Sequence, residues 1–153
     1  MRLFEADLGA VATAPKPHPS GPQGSFPDAG DSCLTRVSAG VEDVSRIRRV
    51  ARDFLAGLPV QSATREDALL VISELVTNAV THALPPAALR LCRTPRSTLR
   101  IEVTDGGPQL RTPPRTDPME EHGRGMQIVA ALATHHGTVT HEQGATRWVE
   151  LPL

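Results

Sequence analysis

The stretch Glu74-Leu-Val-Thr-Asn78-Ala-Val-Thr-His82-Ala83 decides how this sequence folds, because it sets apolar residues against a line of polar ones. Glu74, Asn78 and His82 recur at every fourth residue, which places their side chains on one face of an α-helix. A carboxylate one turn from a carboxamide is an oxygen-rich pair suited to holding Mg²⁺ and to orienting a water or hydroxyl. The stretch therefore predicts a helix that is buried on one side and carries chemistry on the other.

Two glycine-containing segments downstream point to a nucleotide site. Asp105-Gly106-Gly107-Pro108 follows a strand-like run, and Gly123-Arg124-Gly125 opens another apolar helix. Glycines at a helix start let the backbone approach a phosphate, and the free N–H groups there favour an anion. Asp105 can accept a hydrogen bond from an exocyclic amine such as that of adenine. Each segment also has a purely structural interpretation, since Asp-Gly is a common hairpin signal and Gly-x-Gly can simply turn the chain.

Two widespread nucleotide-binding architectures do not match the sequence. It contains no Gly-x-x-x-x-Gly-Lys-[Ser/Thr], which excludes a P-loop site. It also lacks a Gly-x-Gly-x-x-Gly after a first strand, which argues against a Rossmann site. The nucleotide hypothesis therefore depends on the three segments above and on their order.

Composition narrows the function classes further. The net charge of −1 provides no field for nucleic acid or an anionic membrane, and with aromatics at 3% there is no platform for stacking bases. Cys33 and Cys92 have neither a disulfide nor a metal spacing, and we interpret them as reduced cytoplasmic thiols. No apolar run approaches the ~20 residues that span a bilayer, and no signal peptide is recognisable at the N-terminus. We expect a cytoplasmic protein without a direct nucleic-acid or membrane partner.

The chain divides early. Residues 1–31 hold five prolines among Gly, Ser and Ala, and such a segment cannot bury enough apolar area to offset its ordering entropy. We therefore predict a disordered tail over 1–31 and a single folded domain over 32–153.

Apolar periodicity predicts eight elements in the order β-α-α-β-β-loop-α-β-β. Thr64 can cap the second helix, with Asp67 three residues later, and Pro85-Pro86 follows its end. The pair His135-His136 is expected at the C-terminus of the third helix, where the dipole favours it. The predicted ranges are strand 33–37, helix 41–56, a helix from 64 to before 85, strands 88–93 and 98–104, helix 125–134, and strands 138–142 and 146–151. Hairpin connections predict a mixed or antiparallel sheet with helices on one face, an α+β two-layer sandwich.

Together these segments resemble the ATP-binding domain of the gyrase, chaperone, histidine-kinase and mismatch-repair superfamily (GHKL, the Bergerat fold). They are most similar to the small anti-sigma-factor serine/threonine kinases of bacteria, over about residues 34–153. Glu74-Leu-Val-Thr-Asn78-Ala resembles the N box of the family, and Val103 to Pro108 resembles its G1 box. His122 to Met126 resembles the G2 box, and Gly144-Ala145-Thr146 the short Gly-Thr element.

The resemblance implies roles at the two central segments. Asn78 would coordinate the Mg²⁺ that bridges the phosphates of ATP. Glu74 would be the general base, accepting a proton from a Ser or Thr hydroxyl of a protein substrate as that hydroxyl attacks the γ-phosphate. Asp105 would bind the adenine amino group beside a thin wall at Gly107, and Thr146 would support Asp105 directly or through a water.

The resemblance also assigns the phosphate loop and the partners. Gly123, Arg124 and Gly125 would line the phosphates, with residues 108–122 forming the ATP lid. Arg124 could neutralise charge on the transferred group or be an exposed arginine at a helix start, and the sequence favours neither. The implied partners are a sigma factor and an anti-anti-sigma protein of the STAS type. A homodimer is possible, because relatives often dimerise.

The sequence departs from the family pattern at the G1 box. It reads Asp-Gly-Gly-Pro where many relatives have Asp-x-Gly-x-Gly, so that Gln109 stands at the second glycine. This change bears on nucleotide affinity. A dimerisation helix with a phosphoacceptor His is not recognisable, and we do not expect a two-component sensor kinase.

Two function classes remain open on the sequence. One is a serine/threonine kinase that phosphorylates an anti-anti-sigma partner and sequesters a sigma factor. The other is a non-catalytic regulator that binds ATP or only a partner. Glu74 together with Asn78 favours the kinase, because a pure binding module needs no base. A metal-dependent hydrolase using Glu74 with His82 lacks the third ligand that such sites need.

Overall fold

The computed structural model describes residues 32–38, 40, 42–109 and 122–153, and for residues 122–124 it describes only the backbone. In the described residues the predicted order of elements is confirmed. The elements are β1 (Ser32–Val37), α1 (Glu42–Ala56), α2 (Ser62–His82), β2 (Ala87–Arg93), β3 (Thr98–Asp105), α3 (His122–Leu132), β4 (His135–His141) and β5 (Gly144–Pro152). The predicted tail over 1–31 lies outside the described residues.

The five strands form one antiparallel sheet in the order β1-β2-β3-β5-β4. Side chains alternate along each central strand, so that one face of the sheet is buried and the other is half-exposed. In β3 the buried positions include Leu99, Ile101 and Val103, each at 0% exposure. The α+β two-layer architecture predicted from the sequence is confirmed, with the sheet fully antiparallel.

Helices α1 and α2 supply the other half of the core. Buried residues of α1 recur at every fourth position, which gives a single apolar stripe: Ile47, Ala51 and Leu55. Helix α2 is buried over a wider arc because it contacts α1, α3 and the sheet. None of the helices in the described part of the chain is both long and apolar enough to cross a membrane.

Three local predictions need correction. Helix α2 begins at Ser62 with Gln61 as its N-cap, and no side chain caps it, so the cap predicted at Thr64 is wrong. His135 and His136 lie in β4 rather than at a helix C-terminus, because α3 ends at Leu132. The last strand begins at Gly144, two residues earlier than expected. Since the alternating pattern of a strand is weak at its ends, sequence periodicity underestimates strand length there.

Candidate functional site

Glu74 reaches the first turn of α3, and Gly125 makes room for it. A Cβ added to Gly125 would overlap Oε2 of Glu74 and would lie 2.8 Å from its Cδ. Glu74 is half-buried and Gly125 is buried. The carboxylate therefore lies at the N-terminal end of α3, where the backbone N–H groups and the helix dipole favour negative charge.

Asn78 lies one helical turn after Glu74 on α2 and is also half-buried, whereas His82 is exposed at the end of the helix. The spacing predicted from the sequence is therefore realised on an unbroken helix. Glu74 and Asn78 present a carboxylate and a carboxamide on the face that meets α3. We call Glu74, Asn78 and Gly125 the helix end of the site.

The segment after β3 is fastened to the C-terminal end of α2 by backbone hydrogen bonds. Leu84 N–H donates to the carbonyl of Gly107 at 2.8 Å, and Gly106 N–H donates to the carbonyl of Leu84 at 2.7 Å. A Cβ on Gly106 would lie 2.6 Å from the Leu84 carbonyl oxygen, so only glycine fits this approach. These contacts fix the Asp105-Gly106-Gly107 turn against the helix that carries Glu74.

Gln109, which stands at the second glycine of the family pattern, also fastens this segment. Its backbone N–H donates to the carbonyl of His82 at 3.1 Å, and its side-chain Nε2 donates to the carbonyl of Ala83 at 2.8 Å. Gln109 therefore satisfies the carbonyls of two residues at the C-terminal end of α2.

Asp105 ends β3 on the buried face of the sheet, and its carboxylate has no solvent exposure. Gly107 N–H donates to Oδ1 at 2.9 Å, in a turn that Gly107 makes possible with a φ of 88°. Arg147 of β5 donates from its guanidinium to Oδ2. We call Asp105, Gly107 and Arg147 the sheet end of the site; both oxygens of its buried carboxylate already have a donor.

Thr146 lies on the other face of the sheet. It pairs with Thr104 in the β3–β5 register, and the two hydroxyls are 2.9 Å apart. Asp105 belongs to the opposite, buried face because strand residues alternate. The structure therefore does not bring Thr146 together with Asp105, and the residue that contacts Asp105 from β5 is its neighbour Arg147.

Arg147 was absent from the sequence-based prediction. The signal that identifies it is the pairing of Asp105 with Ala145, which puts Ala145 and Arg147 on the same face as Asp105. This pairing is a property of the sheet and not of either strand alone.

The remaining predicted residues are only partly described. The backbone of Gly123 and Arg124 belongs to the first turn of α3, and their side chains lie outside the description. Most of the predicted lid, residues 110–121, lies outside the described residues. Gly144 lies beside the sheet end, where a Cβ would overlap the carbonyl oxygen of Asp105.

A cavity of about 150 Å³ opens beside the C-terminal end of α2, between Val37, Ala79 and Gln109. Its lining does not include Glu74, Asn78 or Asp105. The cavity is therefore not the pocket predicted from the sequence.

A family model described as the histidine kinase-like ATPase domain matches residues 37–151. The chain belongs to this family. The match spans the helix end and the sheet end together, so a histidine kinase-like ATPase domain accounts for nearly all of the folded residues. The expected GHKL resemblance is confirmed.

A solved structure shares the fold of this histidine kinase-like ATPase domain. A crystal structure of the RsbU and RsbW domains of Rv1364c from Mycobacterium tuberculosis matches with a TM-score of 0.63 at 19% identity. That match covers 80% of this chain and 32% of the mycobacterial chain. The histidine kinase domain of a blue-light-activated kinase from Erythrobacter litoralis matches with a TM-score of 0.48 at 22% identity, over 73% of this chain and 60% of the other. No curated protein matches the chain.

The residues present fit a nucleotide unequally. At the helix end, Gly125 leaves space that Glu74 enters, and Asn78 lies one helical turn after Glu74 on α2. At the sheet end, the carboxylate that would accept an adenine amine is covered. The helix end therefore presents the half-buried carboxylate of Glu74 at a helix N-terminus, and the sheet end presents a carboxylate covered by Arg147.

Proposed function

We propose that this domain is an ATP-binding anti-sigma regulator that phosphorylates a serine or threonine of a STAS-type anti-anti-sigma partner. The observation that carries the proposal is the placement of Glu74 against Gly125 at the N-terminus of α3. A base in that position stands beside an anion site, as in-line phosphoryl transfer requires. The setting would be the cytoplasm, where ATP and sigma factors are found.

In the proposed reaction the partner's hydroxyl oxygen attacks the γ-phosphorus of ATP, Glu74 accepts the hydroxyl proton, and ADP leaves. Asn78 would hold Mg²⁺, which neutralises charge on the phosphates when it is bound. Gly123, Arg124 and Gly125 would surround the phosphates from the first turn of α3, where the N–H groups have no partner within the helix.

The nucleotide site is tested by calorimetric titration of the purified protein with Mg²⁺-ATP and with ADP. We expect binding that requires Mg²⁺ and is lost in Asn78→Ala. Thr77→Ala is the matched control, because Thr77 is the exposed neighbour of Asn78 on the same helix. Unchanged affinity in Asn78→Ala would remove the metal assignment.

The catalytic assignment is tested with Glu74→Gln. We expect this variant to bind Mg²⁺-ATP but to lose transfer of labelled γ-phosphate to STAS-domain proteins from the same genome. Glu66→Gln is the control, since Glu66 is exposed on the same helix. Transfer that survives in Glu74→Gln would refute the role of general base.

The closed sheet end favours a second candidate, a regulator that binds its partner without catalysis. A buried carboxylate already paired with Arg147 is a stable structural feature without any nucleotide. Under this alternative the protein would bind a sigma factor or anti-anti-sigma partner in the absence of ATP, and the calorimetric titration would show no nucleotide binding.

A further inference from the structure

Arg147 is the cation of the sheet end, and its position is unusual for a charged residue. It lies opposite Val103 in the β3–β5 register, among positions of the sheet face that the helices cover. Its guanidinium donates to Oδ2 of Asp105, whose carboxylate is 0% exposed, while the Arg147 side chain itself retains 29% exposure. Part of the Arg147 side chain is therefore exposed to solvent, and the Asp105 carboxylate is not.

Arg100 provides a contrast on the other face of the same sheet. It forms ion pairs with Glu102 at 2.7 Å and Glu150 at 2.9 Å, and it stacks on the ring of Trp148. All four of these residues are half-exposed on the face away from the helices. This cluster is compatible with a structural role in the sheet. Arg147, by contrast, pairs with Asp105, which is the only buried carboxylate of β3 among the described residues.

We propose that Arg147 determines base selectivity by withholding the Asp105 carboxylate from the nucleobase. The proposal rests on the proposed nucleotide site. An adenine amino group can be recognised only by a carboxylate that it can reach, and here Arg147 must swing outward first. Breaking this ion pair in a low-dielectric site would therefore reduce the net free energy of binding adenine.

Two consequences follow for binding. Nucleotides would be held mainly through their phosphates at the helix end, so the wild-type protein would discriminate weakly between ATP and GTP. Removal of the guanidinium would expose a carboxylate that accepts from the adenine amine and repels the guanine O6 acceptor. Loss of Arg147 would therefore tighten ATP binding and leave GTP binding nearly unchanged.

The test is a calorimetric titration of the full chain with Mg²⁺-ATP and Mg²⁺-GTP for the wild type, Arg147→Met and Arg147→Lys. Methionine keeps an unbranched apolar stem without the guanidinium. We expect wild-type affinities for the two nucleotides within about threefold, and an ATP affinity at least about tenfold higher in Arg147→Met with GTP nearly unchanged. The ATP affinity of Arg147→Lys should lie between those of the wild type and Arg147→Met, because an ammonium dissociates from a carboxylate more easily than a planar guanidinium does.

Arg100→Met is the matched control, since it also replaces an ion-paired arginine of the sheet by methionine, but on the other face, and it should leave the ratio of affinities unchanged. Thermal melts establish which variants are folded at the titration temperature. If Arg147→Met unfolds, because Asp105 is left buried without its cation, the wild-type ratio and Arg147→Lys decide the question.

The outcomes separate this inference from the nucleotide proposal. A wild-type protein that prefers ATP by more than about tenfold, or a folded Arg147→Met with unchanged ATP affinity, overturns the role of Arg147 while leaving the nucleotide site in place. Absence of binding in the wild type with binding in Arg147→Met supports the inference. Absence of binding in both overturns the inference and the nucleotide site together.

Discussion

At the helix end of the site a glycine leaves room for a carboxylate, whereas at the sheet end an arginine covers one. Gly125 lets Glu74 approach the first turn of α3, and Arg147 pairs with Asp105 on the buried face of the sheet. Both ends place an acidic group beside positive charge. Under the proposed function, a phosphate would compete with Glu74 for the N-terminus of α3, whereas a base would have to displace the Arg147 guanidinium from Asp105.

The two ends also differ in what a change would encounter. Beyond Gly125 lies the tip of a flexible glutamate side chain, which can move. Beyond Gly144 lies the backbone of Asp105 and Gly106, which cannot move without disturbing the sheet. We therefore expect a substitution of Gly125 to change the position of Glu74, and a substitution of Gly144 to lower the free energy of unfolding.

The largest effect is expected from Gly144→Ala. The new Cβ would overlap the Asp105 carbonyl oxygen, at a residue whose φ of 145° already disfavours a side chain. We expect a loss of about 3 kcal/mol or more in the free energy of unfolding, measured by urea titration. Gly40→Ala is the control, because nothing lies within 4 Å of its Cβ. Equal losses in the two variants would contradict the tight packing at the sheet end.

Gly125→Ala tests the helix end. The methyl group would displace the Glu74 carboxylate, and we expect phosphoryl transfer to fall about 100-fold. Stability should not fall, because alanine is favoured over glycine within a helix by about 1 kcal/mol. The measurements are transfer rate and urea midpoint, with the exposed residue of α3 in Gln127→Ala as control. A variant that keeps its transfer rate would show that Glu74 does not act from this position.

Asp43→Asn provides a comparison remote from both ends. Arg46 hydrogen bonds lower the pKa of Asp43 from 3.8 to about 2, with a further bond from the backbone of Ser38. A carboxyl whose pKa is lower in the folded state stabilises the protein above pH 3.8 and loses that contribution as pH falls toward 2.

We therefore expect protonation of Asp43 to lower the free energy of unfolding of the wild type by about 1–2 kcal/mol across that acid range. Asp43→Asn has no carboxyl at this position and should not show this loss. Urea titrations at several acidic pH values measure it, with the exposed Asp53→Asn on the same helix as control. Parallel acid profiles in the wild type and Asp43→Asn would contradict the assignment. Nucleotide affinity at neutral pH should be unchanged in both variants.

The smallest effect is expected from Thr146→Val, which removes the hydrogen bond to Thr104 on the half-exposed sheet face. We expect a loss of about 1 kcal/mol or less in stability and no change in ATP affinity. Calorimetry and thermal melts check both quantities. A marked fall in ATP affinity would restore the role of Thr146 beside Asp105 that the sequence suggested.

Sequence reasoning reached the helices and their order because helix periodicity is local. The apolar residues of the second helix that recur at three- and four-residue steps predict its buried side. Of these, Leu69, Ile72, Leu75, Val76 and Ala79 are buried, and Val80 is half-buried. The same reasoning placed the helix start at Thr64, since a capping residue is a statistical signal and here no side chain caps the helix. The start of β5 at Gly144 was missed for a different reason, because the alternating pattern is weak at the ends of a strand.

The sequence by itself determined the fold class, the alignment of Glu74 with Asn78, and the family to which the domain belongs. Each of these is encoded within a few turns of helix or a short motif. The tertiary structure decided that Glu74 lies against Gly125, that Thr146 lies on the far face, and that Arg147 covers Asp105. These three facts depend on which residue of β5 pairs with Asp105 and on how α3 packs against α2, and such non-local contacts leave no periodic signal in the chain.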